Sequence, residues 1–150
     1  MELTQTHKAY IDKCVLCWLA TASKTGEPNV SPKEIFTHFG PDAIIIANIA
    51  SPQTVRNIRD NPQACASFID ILIQKGFQMK GKAEIIGKDH PDFAKMHEAL
   101  SGLASDQFPF GTVTRLTVEK IKPIVAPRYV LYPDTTEEAQ VERARRTYGL

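Results

Sequence analysis

Two short stretches carry the side chains best suited to chemistry: Asn29-Val30-Ser31-Pro32-Lys33 and Ser51-Pro52-Gln53-Thr54. In the second, Ser51 can accept a hydrogen bond from a free amide as an N-cap. Pro52 suits the first helical position, where no N–H partner is needed. A helix entered this way exposes unpaired amides and a partial positive charge, which together suit a phosphate or another anion. The Lys33 ammonium and the Ser51 and Thr54 hydroxyls would add charge and donors. The plainer alternatives are a solvated strand lysine paired with Glu34 or Glu27, and an ordinary cap followed by a first-turn threonine.

Other reactive side chains are less promising. Cys14-Val-Leu-Cys17 has the spacing of a redox pair. A thioredoxin-like pair sits at a helix N-terminus that lowers a thiol pKa, whereas this one enters a strand, so buried small hydrophobes are expected. Zinc would need further ligands that the sequence does not cluster. His38, His90 and His97 have no acid or nucleophile at catalytic spacing and read as surface or packing residues. There is no Ser-His-Asp arrangement, paired carboxylate site or Gly-rich dinucleotide loop, which argues against hydrolysis and Rossmann-type binding.

The elements that must position these residues can be taken in order. A helix is expected from Leu3 to about Lys13 with Thr4 as N-cap, then a strand from Leu16 to Ser23. Lys24-Thr25-Gly26-Glu27 makes a tight turn, in which Gly26 can take positive φ, and a single returning strand runs from Pro28 to His38. After Gly40-Pro41-Asp42, the apolar run Ala43 to Ala47 reads as a strand covered on both faces. It feeds the helix from Pro52 to about Asp60, which Asn61-Pro62 stops. Ala64 to Leu72 and Phe77 to Ile86 form a second hairpin around Gln74-Lys75-Gly76. A helix runs from Asp89-His90-Pro91-Asp92 to about Leu103, followed by the aromatic loop Phe108-Pro-Phe-Gly111. Phe77 and this loop are the best candidates for a pocket wall, and Trp18 is assigned by default to the core. Val113 to Val125 is a long strand whose broken alternation predicts a bulge. Thr135 and Glu138 form a capping box for a last helix, which Gly149 stops.

The chain has 150 residues, 43% hydrophobic and 23% charged, which fits one globular domain with a real core. Lys+Arg 18 against Asp+Glu 17 gives a formal charge of +1, so no excess recruits nucleic acid or a membrane surface. No apolar run approaches a spanning helix and no signal peptide is visible, and the three cysteines suit a reducing compartment; a cytoplasmic protein is expected. About six strands with short connections predict a mainly β fold: an antiparallel six-stranded split barrel with peripheral helices.

The order of hairpin, Asn-Val-Ser-Pro-Lys, apolar strand, helix ending in Asn-Pro, strand and Gly-Lys-Ala-Glu strand resembles the pyridoxamine 5'-phosphate oxidase-like flavoproteins, the FMN-binding split-barrel family. The resemblance covers roughly Leu16 to Ile86 and implies an FMN site. It places contacts along Asn29, Val30, Ser31, Pro32 and Lys33, at Ala47, Asn48, Gln53 and Thr54, and around Lys75, Gly76, Phe77 and Gln78. It also implies a homodimer whose flavin sites are shared between subunits. Gln53-Thr54 stands where the family usually has an Arg-Lys pair; Ser51, Thr54, the first-turn amides and Lys33 would replace it. Lys33 would hold the phosphate or sit beside the flavin ring. The oxidase's C-terminal Arg and His pattern is missing after Tyr132. The expected function is thus an FMN-dependent oxidoreductase acting on a small molecule. The other readings are a non-catalytic flavin carrier or sensor, and an interaction protein that has lost its cofactor.

Overall fold

A computed structural model describes all 150 residues. Helix α1 (Gln5–Lys13) begins at Thr4, whose hydroxyl accepts from the His7 amide while the His7 ring accepts from the Thr4 amide, a closed capping box. Strands β1 (Cys17–Ala22) and β2 (Pro28–Lys33) form the first hairpin, with Gly26 at φ 89° in the turn as expected.

The returning segment departs from expectation. It is not one strand to His38, because Glu34-Ile35 breaks it and β3 (Phe36–Phe39) pairs instead with β4 (Ala43–Ala47). Seven strands result, ordered β2-β1-β5-β6-β7-β4-β3, every pairing antiparallel. The two outer strands are consecutive in the chain, so the sheet curls until β2 and β3 meet at that break. The Ala47 amide donates to the Ile35 carbonyl across it, 3.0 Å. This is a mainly β split barrel with peripheral helices.

Every residue of β4 is buried, as a continuous apolar run requires. Ile44 and Ile46 face the barrel interior with Leu19, Phe68, Met79 and Leu116. Ile45 and Ala47 face the other way, onto Met96 and Leu100 of α3 (Phe93–Ser101). That helix ends before Leu103, which is left exposed.

Helix α2 (Pro52–Asp60) stops at Asn61 before Pro62 and lies over β1, β2 and β6 (Lys75–Ile86). In β5 (Gln63–Asp70), the Asp70 carboxylate accepts from the Leu72 and Ile73 amides and turns the chain. Gln74 takes the positive φ of that turn, at 54°, and Lys75 and Gly76, expected within the turn, already belong to β6. The long β7 (Val113–Val125) carries the expected bulge: Lys80 pairs with Lys120 but Gly81 with Val118, leaving Glu119 unmatched. A short α4 (Pro127–Leu131), not foreseen in the sequence, precedes α5 (Glu137–Tyr148). The α5 cap is Thr136, one residue later than expected, because the Thr135 amide is used in a turn to the Tyr132 carbonyl. No helix is long and apolar enough to cross a membrane.

Candidate functional site

Alternation along β2 turns Asn29, Ser31 and Lys33 to the inner face beneath α2, while Val30 and Pro32 point outward. Lys33 is only 6% exposed, an unusual place for an ammonium. Its Nζ donates to Ser51 Oγ, and no carboxylate pairs with it. Burial pulls its pKa below the ordinary lysine value, and only the neighbouring Cys17 opposes the shift. A buried cation without an acid is a local deficit of negative charge.

Ser51 does not cap α2. Its hydroxyl donates to the Ile49 carbonyl at 2.9 Å and receives Lys33, so no side chain accepts from the first-turn amides. The lysine outcompetes the capping role because a charged donor makes the stronger bond. The loop that swings Ser51 into place holds Ala50 at φ 48°, a left-handed conformation that costs a non-glycine residue about 1 kcal/mol. Thr54, nearly fully buried, meets Ser31 with hydroxyl oxygens 3.2 Å apart and so ties α2 to β2. Behind it Asn57 Nδ2 donates to Thr21 Oγ1 at 3.1 Å, and Gln53 Nε2 donates to Asn57 Oδ1 at 2.8 Å. Arg56 donates to Gln53 Oε1, so the Gln53 side chain is engaged within its own helix.

Lys33 opens onto a cleft of about 400 Å3. Pro32, Glu34, Ile35, Ala47 and Ile49 line it, together with Leu103, Ser105 and Phe108. Leu103 and Phe108 are each 53% exposed, large apolar groups left facing the opening. Phe108 is therefore a wall residue, as expected of its loop. Phe77 is not. It packs edge-on against Tyr10 and His7 at the barrel end beneath α1.

Of the expected contacts, Pro32, Lys33 and Ala47 line this cleft, while Ser51 joins it through its bond to Lys33 and Ser31 and Thr54 lie behind it, bonded to each other. Asn48 lies at the same end of β4, but its side chain bonds to Thr112 and Thr114 of the β7 entry. Asn29 reaches only Thr21, and Val30 is exposed on the outer face. Lys75, Gly76, Phe77 and Gln78 lie on β6, three strands from β2, and do not converge with Lys33 in one chain. Lys75 pairs with Glu137 at 2.7 Å and lies over the Tyr129 ring. Gln78 faces outward beside Lys80 and Lys122. Asn57, Thr21, Leu103 and Ser105 escaped sequence reasoning, since nothing local marks a helix asparagine or a loop serine as facing a site.

The other candidates stay structural. Cys14 and Cys17 are buried, and burial pushes their thiols up to about 11 and about 12, so neither is a thiolate at neutral pH. His38 pairs with Asp12, and His97 packs against Phe93 and Phe110. Trp18 is not core: it is 47% exposed on the outer face of β1.

Among solved structures, HupZ of Group A Streptococcus is 28% identical, with a TM-score of 0.67 over 79% of this chain and 91% of that one. An FMN-binding protein of Syntrophomonas wolfei is 17% identical, with a TM-score of 0.66 over 80% and 84%. The heme storage protein HutZ of Vibrio cholerae is 21% identical, with a TM-score of 0.61 over 83% and 95%. No curated protein matches the chain. The family model described as pyridoxamine 5'-phosphate oxidase matches residues 3–125. The split barrel and that match together assign the chain to the pyridoxamine 5'-phosphate oxidase family.

Proposed function

We propose that this protein binds FMN at the Lys33 cleft and acts as an oxidoreductase on a small molecule. The observation that carries the reading is the buried Lys33 ammonium, unpaired with any acid, beside the uncapped first turn of α2. Lys33, the Ser51 and Thr54 hydroxyls and the free amides would hold a phosphate, replacing the usual Arg-Lys pair. Bound FMN would supply the electron-transfer chemistry. The protein would orient it along Ser31 to Lys33 and exclude water with Ile35, Ile49, Leu103 and Phe108.

The site is completed by a second copy of the chain. Trp18 and Val30, 47% and 58% exposed, lie on the outer sheet face, where Gln78 also points. A homodimer covering that face would bring Gln78 of one chain to the β2 strand of the other, which one chain cannot do. This larger, more apolar kind of interface suits an obligate dimer.

Absorbance of the purified protein, before and after added FMN, tests cofactor binding. Turnover with a panel of reductants and acceptors then separates an enzyme from a carrier. A colourless protein that takes up no FMN would contradict the proposal, and a flavin-loaded protein inert toward the whole panel would favour the carrier.

A further inference from the structure

Besides Lys33, one more cation is drawn toward the N-terminal end of α2. Arg56, in the second turn, makes no ion pair, although Asp60 lies one turn further on, at the spacing where such pairs form. Its Nη2 donates instead to Gln53 Oε1 at 2.7 Å, which holds the guanidinium back over the first turn. Of its five N–H donors, this bond occupies one.

Arginine only donates, and that fixes the direction of every bond behind it. Gln53 must turn its oxygen to Arg56, so its Nε2 donates to Asn57 Oδ1 at 2.8 Å, and Asn57 Nδ2 donates to Thr21 Oγ1 at 3.1 Å. Asn57 and Thr21 are 3% and 4% exposed, so the relay is anchored in the barrel wall. An exposed arginine is thus held by a buried chain of amides. The placement works against the helix, because a cation is favoured at the C-terminal end and the first turn of α2 contains no acid to offset it. An anion at that end would reverse the sign of the interaction.

We propose that Arg56 is a phosphate-binding residue, closing from the solvent side on a phosphate monoester that Lys33 holds from the barrel side. This rests on the FMN reading, and it returns to the site a guanidinium that Gln53-Thr54 lacks, moved to the next turn of the helix. Arg56 stands outside the lining of the Lys33 cleft, as a group that meets the phosphate end of a ligand from solvent would. Its planar fork can engage two oxygens of a terminal phosphate at once, while the Lys33 ammonium acts as a point charge on another. Gln53 is a positioning residue that acts through Arg56.

FMN and riboflavin are titrated by flavin fluorescence against the wild type, Arg56→Ala, Gln53→Ala and Arg59→Ala, the last removing the same charge from the C-terminal turn of the same helix. Arg56→Ala should weaken FMN binding by roughly tenfold or more and leave riboflavin unchanged. Gln53→Ala should lose part of the FMN preference with riboflavin affinity intact, a readout that general loosening of the helix would not give. Arg59→Ala should match the wild type. Equal losses in Arg56→Ala and Arg59→Ala, or a full FMN preference retained in Arg56→Ala, would overturn the role of Arg56 while the flavin site stands. Inorganic phosphate supplies a readout that needs no flavin: the Arg56 Nε–H resonance, identified by its absence from Arg56→Ala, should shift saturably with phosphate and not with chloride at matched ionic strength. No shift, or an equal shift with chloride, would overturn the proposal whether or not the protein takes up FMN. Unfolding midpoints of all variants exclude loss through misfolding.

Discussion

Lys33 is the residue on which stability and function pull apart. An ammonium held out of water without a counter-ion costs the fold, so Lys33→Met, similar in volume, should raise the stability of the unliganded protein by about 1–3 kcal/mol. The same change should abolish the preference for a phosphorylated ligand. Urea unfolding and ligand titration on one preparation check both halves, and a loss of stability would show that the ammonium is well paired. The pH dependence follows from the same burial. The folded pKa lies below the ordinary 10.5, so as pH falls from 10.5 the unfolded chain takes up the proton first and the folded state loses stability until the lowered value is passed. Stability should therefore rise with pH through that window, and the Lys33→Met variant should lack this component. Thr54→Ala should weaken FMN binding by roughly 1.5–3 kcal/mol, with little effect on riboflavin. A drop in stability with unchanged FMN affinity would confine Thr54 to folding. That β2 and the start of α2 come together was legible from motif order. The diversion of Ser51 from its capping role was not, because the competing lysine lies on another strand.

At the scale of elements, the sequence revealed most where the physics is local. The turn at Gly26, the doubly covered β4, the stop at Asn61 and the bulge in β7 all follow from neighbouring residues. The break at Glu34-Ile35 was hidden, since β2 and β3 are separated by which partner strand each finds, a long-range matter. The same holds for Gly76, which the sequence places in the turn although it already lies in β6. Its glycine is required by packing, as a Cβ there would sit 2.0 Å from the Phe68 carbonyl oxygen. Gly81, beside the bulge, is equally constrained: a Cβ would meet the Thr117 carbonyl oxygen at 1.9 Å. Gly81→Ala should thus cost about 2–4 kcal/mol by forcing β6 and β7 apart. Gly87→Ala, with open space around the site, should change stability by less than about 1 kcal/mol. Chemical denaturation of the pair checks this, and equal effects would mean that the β6–β7 contact yields easily.

For the whole molecule, a flavin held at the Lys33 cleft should come with a dimer and without the oxidase's own substrate. Light scattering should give twice the 16.7 kDa chain mass. A 16.7 kDa particle with FMN fully bound would show that one chain builds the entire site. Pyridoxine or pyridoxamine 5'-phosphate should be oxidised little or not at all, because the C-terminal Arg and His pattern is absent after Tyr132. Micromolar substrate rapidly yielding pyridoxal 5'-phosphate would contradict this. The central claim, that a buried lysine and an open helix terminus hold a phosphate, is tested most directly by titrating FMN and riboflavin under identical conditions with flavin fluorescence as the readout. The two ligands share the ring and ribityl chain and differ only in the phosphate. At least two charge-assisted hydrogen bonds to it correspond to roughly 3 kcal/mol or more, so FMN should bind about 100-fold more tightly or better. Equal affinities would contradict the account.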